Sequence, residues 1–163
     1  MLAIQQPKGS AMPVEVGSPA PDFSLPDTEG TTVTLEQYRG RKTLVVFIPF
    51  PWTGICDGEA CTLRDHFADL NALDANLVII STYPRPAIKK WAQENGFRFP
   101  VLSDFWPHGE VGRHYGVFDQ DTGSNRRSSF VIDPDGVVRA IVASESLGTP
   151  REYDAYVEAL NSF

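Results

Sequence analysis

The chain has 163 residues, enough for one domain with a sizeable core, and its 42% apolar and 21% charged residues are ordinary globular values. A net charge of −7 argues against nucleic acid or an anionic membrane as partner. Both need basic patches, and the basic runs here stop at two residues, Lys89-Lys90 and Arg126-Arg127.

Residues 1–13 read as a flexible leader, with Met12 a candidate alternative start. They lack a charged n-region followed by an apolar run, so no secretory signal is expected. Apolar stretches fall short of the roughly 18 residues a membrane span needs. Two cysteines in a chain this long make no disulfide scaffold and suit a reducing, cytoplasmic compartment. Residues 14–163 are expected to form one domain.

"PDFSLPDTEGTTVTL" (21–35) alternates apolar and polar on both sides of Asp27–Gly30 and predicts a hairpin. Leu44 to Ile48 is a compact apolar run with the look of a buried strand, ended by Pro49. From Cys56 the period changes: Cys56, Ala60, Leu63, Phe67, Leu70 and Leu73 recur at threes and fours, predicting an amphipathic helix. "LVIIS" (77–81) reads as a second buried strand. "PAIKKWAQENG" reads as a helix with Pro86 near its start and Gly96 as its stop. "FPVLSD" (99–104) predicts a short strand and "GEVGRHYGV" (109–117) a short helix. "SFVIDPDGVVRAIVAS" (129–144) predicts two strands joined by an Asp-Pro-Asp-Gly turn. A closing helix should bury Tyr153, Tyr156, Val157 and Leu160. Strand–helix–strand–helix, then a hairpin and a final helix, gives an α/β chain. Its expected form is a mixed central sheet flanked by helices, the element order of a thioredoxin-like fold with an added N-terminal β-hairpin.

Both cysteines lie in "PFPWTGICDGEAC" (49–61). Cys56 sits where the chain leaves the strand and enters the helix. Unpaired N–H groups and the helix dipole at that point favour an anion, and the thiolate is the reactive form of cysteine. Thr53 supplies a hydroxyl just before it, and Pro49 fixes the turn. The arrangement reads as a nucleophile, against the alternative of a buried structural cysteine. Residues five apart on a helix are separated by roughly 8–9 Å between Cα atoms, beyond the reach of a disulfide. Cys56 and Cys61 can therefore pair only if the helix unwinds, and Cys61 alternatively reads as a small buried apolar residue or a spare thiol. Metal binding is disfavoured, since Cys56, Cys61 and His66 spread around the helix. His108 and His114 read as surface or loop groups, and Asp57 as a helix-start acid pointing to solvent.

Pro49, Thr53 and Cys56 spell P-x-x-x-T-x-x-C, which resembles the active-site signature of peroxiredoxins. "FPVLSDFWPHGEVGRHYGVFD" (99–119) resembles the alkyl hydroperoxide reductase E subgroup, and "RRSSFVID" (126–133) resembles the family's arginine-bearing strand, selecting Arg127 over its neighbour Arg126. The resemblance runs from about Gly17 to the C-terminus. It implies thiol-dependent reduction of H2O2, organic hydroperoxides and sometimes peroxynitrite, without metal or organic cofactor. It implies a peroxidatic Cys56 that becomes a sulfenic acid. Thr53 would bond thiolate and peroxide, Arg127 would hold the thiolate and polarise the leaving oxygen, and Pro49 would shape the pocket. Glu59 matches the family's acidic position in this turn. Cys61 departs from that subgroup and resembles the resolving cysteine of the bacterioferritin comigratory protein type, with its C-x4-C spacing. An intramolecular disulfide and a thioredoxin- or glutaredoxin-like reductant would follow. The alternatives are a one-cysteine peroxidase with external thiol resolution, or a redox sensor or biosynthetic enzyme on the same scaffold. Phe105, Trp106 and Pro107 form a candidate aromatic interface loop, and the protein is expected as monomer or homodimer.

Overall fold

Alternation along the apolar run decides the layers of the computed structural model, which describes residues 14–163; the expected leader at 1–13 lies outside the described residues. Strand β3 (Lys42–Phe47) is central. Leu44, Val46 and Ile48 face one core, and Val45 and Phe47 face another, because successive side chains of a strand point to opposite faces. Strands β4 (Ala75–Ser81) and β5 (Val101–Ser103) extend the sheet in parallel on one side of β3. On the other side β8 (Ser128–Ile132) and β9 (Val138–Ala143) add antiparallel strands, giving the order β5-β4-β3-β8-β9. This is the mixed sheet expected from the sequence.

One face carries α1 (Gly54–Asp65), α2 (Phe67–Ala72), α3 (Arg85–Asn95) and α5 (Tyr153–Leu160), whose Cys56, Leu63, Leu70, Ile88, Trp91 and Leu160 fill that core. The other face is covered by the hairpin β1 (Ser24–Pro26) and β2 (Thr32–Thr34), and by α4 (Glu110–His114) with Tyr115 behind it. Asp27 closes the β1–β2 turn by accepting the Glu29 and Thr31 N–H groups. Gly96, at φ 68°, ends α3 in the left-handed conformation. At the β8–β9 turn Asp133 accepts the Asp135 and Val137 N–H groups, each at 2.9 Å.

Several expectations need correction. The helix expected from Cys56 to Leu73 starts two residues earlier and is two helices, broken at His66 (φ −103°, ψ 12°). The His66 ring stacks on Tyr153 of α5 with centroids 4.2 Å apart, and hydrogen bonds into and out of residue 66 preserve the apolar period across the break. In α5 Tyr156 and Leu160 are buried, whereas Tyr153 and Val157 are half-buried at its margin. His108 and His114 agree with the surface or loop placement expected: His108 is half-buried in the loop after β5, its Nε2 bonded to the Gly123 carbonyl oxygen at 2.7 Å, and His114 is exposed. A 3-10 turn (Leu35–Tyr38) and a small hairpin of β6 (Phe118–Asp119) and β7 (Ser124–Asn125) were not expected, since two-residue strands carry no periodicity.

Candidate active site

Pro49 is buried at the end of β3, and the chain turns through Phe50–Thr53 before α1 begins. Cys56 is the third residue of that helix, and its inward face makes it fully buried. Its sulfur accepts the Phe50 backbone N–H at 3.4 Å and the Arg127 Nη1–H at 3.1 Å. Arg127 reaches it because Phe47 pairs with Ser128 in the antiparallel β3–β8 register, which sets the preceding residue beside the end of β3. Arg127 is 3% exposed and Arg126 is exposed, the opposite facing expected of strand neighbours.

Arg127 is one of two arginines on a single carboxylate. Glu59, one turn past Cys56 on α1, accepts Arg127 Nη1 at 2.6 Å and Arg151 Nη2 at 2.9 Å through Oε1. Its Oε2 accepts the Arg151 Nε and backbone N–H at 2.9 and 2.7 Å. Arg151 further donates to the Phe47 carbonyl and the Ser129 hydroxyl. Burial pushes the Glu59 carboxyl up, but the Arg151 hydrogen bonds and charge, with the Arg127 charge, outweigh it and hold the group below its ordinary range. Counted as charges, two guanidinium groups face one carboxylate and the Cys56 sulfur. One positive charge is left over when that sulfur carries its proton, and none when it is a thiolate.

Arg151 escaped the sequence reading. The available signal was weak: an arginine just before a helix opposes the helix dipole, so another group must hold it. Tyr83 was also missed; its phenol is pushed up by burial and then by the nearby Cys56 charge.

Thr53 is close in sequence but its hydroxyl donates to the Phe50 carbonyl at 2.7 Å, bracing the turn whose N–H meets the sulfur. Asp57 does not point to solvent. Its Oδ1 accepts the Trp52 backbone N–H at 3.0 Å and the Trp91 indole N–H at 2.7 Å. Trp52 adopts φ 69°, a conformation costing a non-glycine residue about 1–3 kcal/mol, so neighbouring contacts must hold it. Cys61 is half-buried on another face of α1 from Cys56, with its thiol directed at Asn95 Oδ1, 3.6 Å away. Both thiols are free. Among the described residues no cluster suited to a metal ion occurs, and no helix is long and apolar enough to cross a membrane. The loop after β5 presents Phe105 and Trp106 to solvent, Trp106 at 82% exposure.

Residues 16–141 match the AhpC/TSA family. The chain is 44% identical over 148 residues to alkyl hydroperoxide reductase E of Mycobacterium tuberculosis, covering 90% of this chain and 96% of that protein. It is 32% identical over 135 residues to peroxiredoxin Bcp of Escherichia coli, covering 79% and 85% of the two chains. Among solved structures, AhpC of Enterococcus faecalis superposes with a TM-score of 0.83 at 26% identity, covering 93% of this chain and 92% of that one. Peroxidoxin BcpB of M. tuberculosis superposes with a TM-score of 0.79 at 32% identity, covering 91% and 95%.

Proposed function

The chain belongs to the AhpC/TSA family and is a peroxiredoxin, a thiol-dependent peroxidase, and from that premise we propose that Cys56 reduces H2O2 and organic hydroperoxides and that Cys61 resolves the product as an intramolecular disulfide. The observation that carries the proposal is the buried pairing of Cys56 Sγ with Arg127 Nη1 at 3.1 Å, backed by Glu59 and Arg151.

In this mechanism the Cys56 thiolate attacks one peroxide oxygen. An S–O bond forms, the O–O bond breaks, and its electron pair leaves on the second oxygen, which is protonated to water or an alcohol. Arg127 and the Phe50 N–H are donors fixed beside the reacting sulfur, and fixed donors stabilise charge that shifts to oxygen in the transition state. Pro49, buried after β3, shapes the approach to the sulfur, and Thr53 keeps the turn in shape through Phe50, with its lone pairs left for a peroxide proton. The Cys61 sulfur then attacks the Cys56 sulfenic acid; the S–S bond forms, the S–O bond breaks, and the departing hydroxide takes the Cys61 proton as water. An external dithiol of the thioredoxin or glutaredoxin kind returns the disulfide to two thiols. Two cysteines in 163 residues suit a reducing compartment such as the cytoplasm.

One equivalent of H2O2 added to reduced protein should remove both thiols and leave a monomer lighter by two hydrogens. The rival reading, a one-cysteine peroxidase, draws on the Cys61 contact to Asn95. It requires one thiol lost, a gain of one oxygen at Cys56, and a Cys61→Ser variant with unchanged turnover.

A further inference from the structure

Cys61 is held in a polar seam, and that seam has a regular construction. On α1, Asp57, Cys61 and Arg64 are four and three residues apart and share a face. On α3, Glu94 and Asn95 lie three and four residues after Trp91 and share the facing side with it. Trp91 donates its indole N–H to Asp57 at 2.7 Å, Cys61 is directed at Asn95 Oδ1, and Arg64 Nη1 donates to the Asn95 carbonyl at 2.9 Å. Asn95 is itself tied back, its Nδ2 donating to the Trp91 carbonyl at 2.8 Å. The turn before α1 joins the same seam, because Trp52 donates its backbone N–H to Asp57 and its indole N–H to Glu94 at 3.0 and 3.1 Å.

Asp57 is thus a hinge pin with two donors on one oxygen. One donor comes from the turn that carries Pro49 and Thr53, the other from a fully buried tryptophan on a different helix. The opposite face of α1, with Cys56, Ala60 and Leu63, packs in the core. Cys61 therefore cannot approach Cys56 without unwinding the start of α1, and the Asp57 and Cys61 ties to α3 oppose that movement. Hydrogen bonds with a charged partner exceed neutral ones in strength, and of the charged ties in this seam the Asp57–Trp91 bond is the shortest, with its donor on a fully buried residue.

We propose that Asp57 and Trp91 are positioning residues that latch α1 to α3 and thereby set the rate at which the Cys56 sulfenic acid is resolved by Cys61. The proposal rests on the reading of Cys61 as the resolving thiol. The chemistry it times is the condensation given above, in which the S–O bond is exchanged for S–S and water leaves. While the latch is closed, the sulfenic acid waits in the pocket, exposed to a second peroxide that would oxidise it to the sulfinic acid. A tight latch favours that overoxidation and a loose one favours the disulfide.

The test uses the full chain, reduced, as wild type, Trp91→Phe and Glu94→Ala. Trp91→Phe keeps an aromatic ring in the core and the Trp52–Asp57 bond, and removes the indole donor together with part of the ring volume, so Glu94→Ala, which leaves the core packing untouched, separates the lost tie from the cavity. Rapid mixing with H2O2, followed by timed alkylation and mass analysis, separates loss of the Cys56 thiol from formation of the disulfide. Hydrogen exchange over 54–65 reads the latch without any oxidation.

Trp91→Phe should raise both α1 exchange and the disulfide step about tenfold, with the peroxide step within twofold of wild type. The sulfinic fraction at excess peroxide should fall in parallel. Glu94→Ala, at the exposed end of the seam, should give about threefold in the same direction, and it carries the test if Trp91→Phe does not fold. A purely structural role for Trp91 would slow the peroxide step as the pocket loosened, and would not shift the sulfinic-to-disulfide ratio. A disulfide step and sulfinic fraction unchanged in both variants would overturn the latch. Absence of a disulfide in the wild type would instead overturn the resolving role of Cys61, and the exchange rates alone would then decide whether Asp57 and Trp91 hold the helix.

Discussion

Glu59 and Asp104 are two buried acids on opposite faces of one sheet, and their carboxyls are shifted in opposite directions. Glu59 is 6% exposed at its side chain and is met by two arginines, which overcome the cost of burial and hold it below its ordinary value. Asp104, 2% exposed, follows β5 and, among the described residues, accepts only the Val111 and Gly112 N–H groups of α4, at 3.2 and 3.0 Å. There burial wins: the carboxyl is pushed from 3.8 up to about 6, despite the two backbone donors, with the Glu110 charge adding and the His108 charge opposing. Burial is common to both acids. The presence of full positive charges, against partial ones, decides which remains firmly ionised.

The largest way to break this contrast is to remove the acid that has charged partners. Glu59→Ala would leave Arg127 and Arg151 buried without their counter-ion, and should cost about 3–5 kcal/mol in urea denaturation. Removing one of the arginines tests the chemistry instead. Arg127→Met leaves Arg151 on Glu59 and should lower the second-order rate constant with H2O2 about 10²- to 10³-fold, read by stopped-flow Trp fluorescence.

Asp104 is tested by pH. Between 3.8 and about 6 the folded chain keeps a proton that the unfolded chain has released. Its contribution is therefore full below 3.8 and is lost as the pH rises through 6, about 3 kcal/mol in all. Asp104→Asn should remove that slope from the urea midpoint. Glu59 has the reverse sign: its contribution is full above its ordinary 4.5 and is lost as the pH falls through its lower folded value. Glu59→Gln should therefore flatten the acid limb and leave the Asp104 slope intact. The smallest effect is expected beside Asp104 itself, where Trp106→Ala should change monomer stability by less than about 0.5 kcal/mol, because the side chain is 82% exposed.

Much of the frame was legible from local patterns. The alternation at 44–48, the turn signals at 27–30 and 133–136, and the Gly96 stop each correspond to an observed element. Cys56 at a strand–helix junction was also legible, since it needs only the change of period and Pro49. The break at His66 was not, because the stacking partner that explains it, Tyr153, lies 87 positions further along the chain. Asp57 was misread for a related reason. A carboxylate in the first turn of a helix usually faces water, and the indole that captures it belongs to α3.

The sequence by itself determined the order of strands and helices, the faces they present, and the distance that keeps Cys56 from Cys61 while α1 stays helical. Those features follow from periods of 2 and 3.6 residues and from helix rise, which are local. Only the tertiary structure decided which charges meet. Arg127 comes to Cys56 through the β3–β8 register, Arg151 comes to Glu59 from 92 residues away, and Asn95 and Trp91 come to Cys61 and Asp57 from α3. Electrostatic partners depend on spatial distance and on exclusion of water, and neither is written in the neighbouring residues.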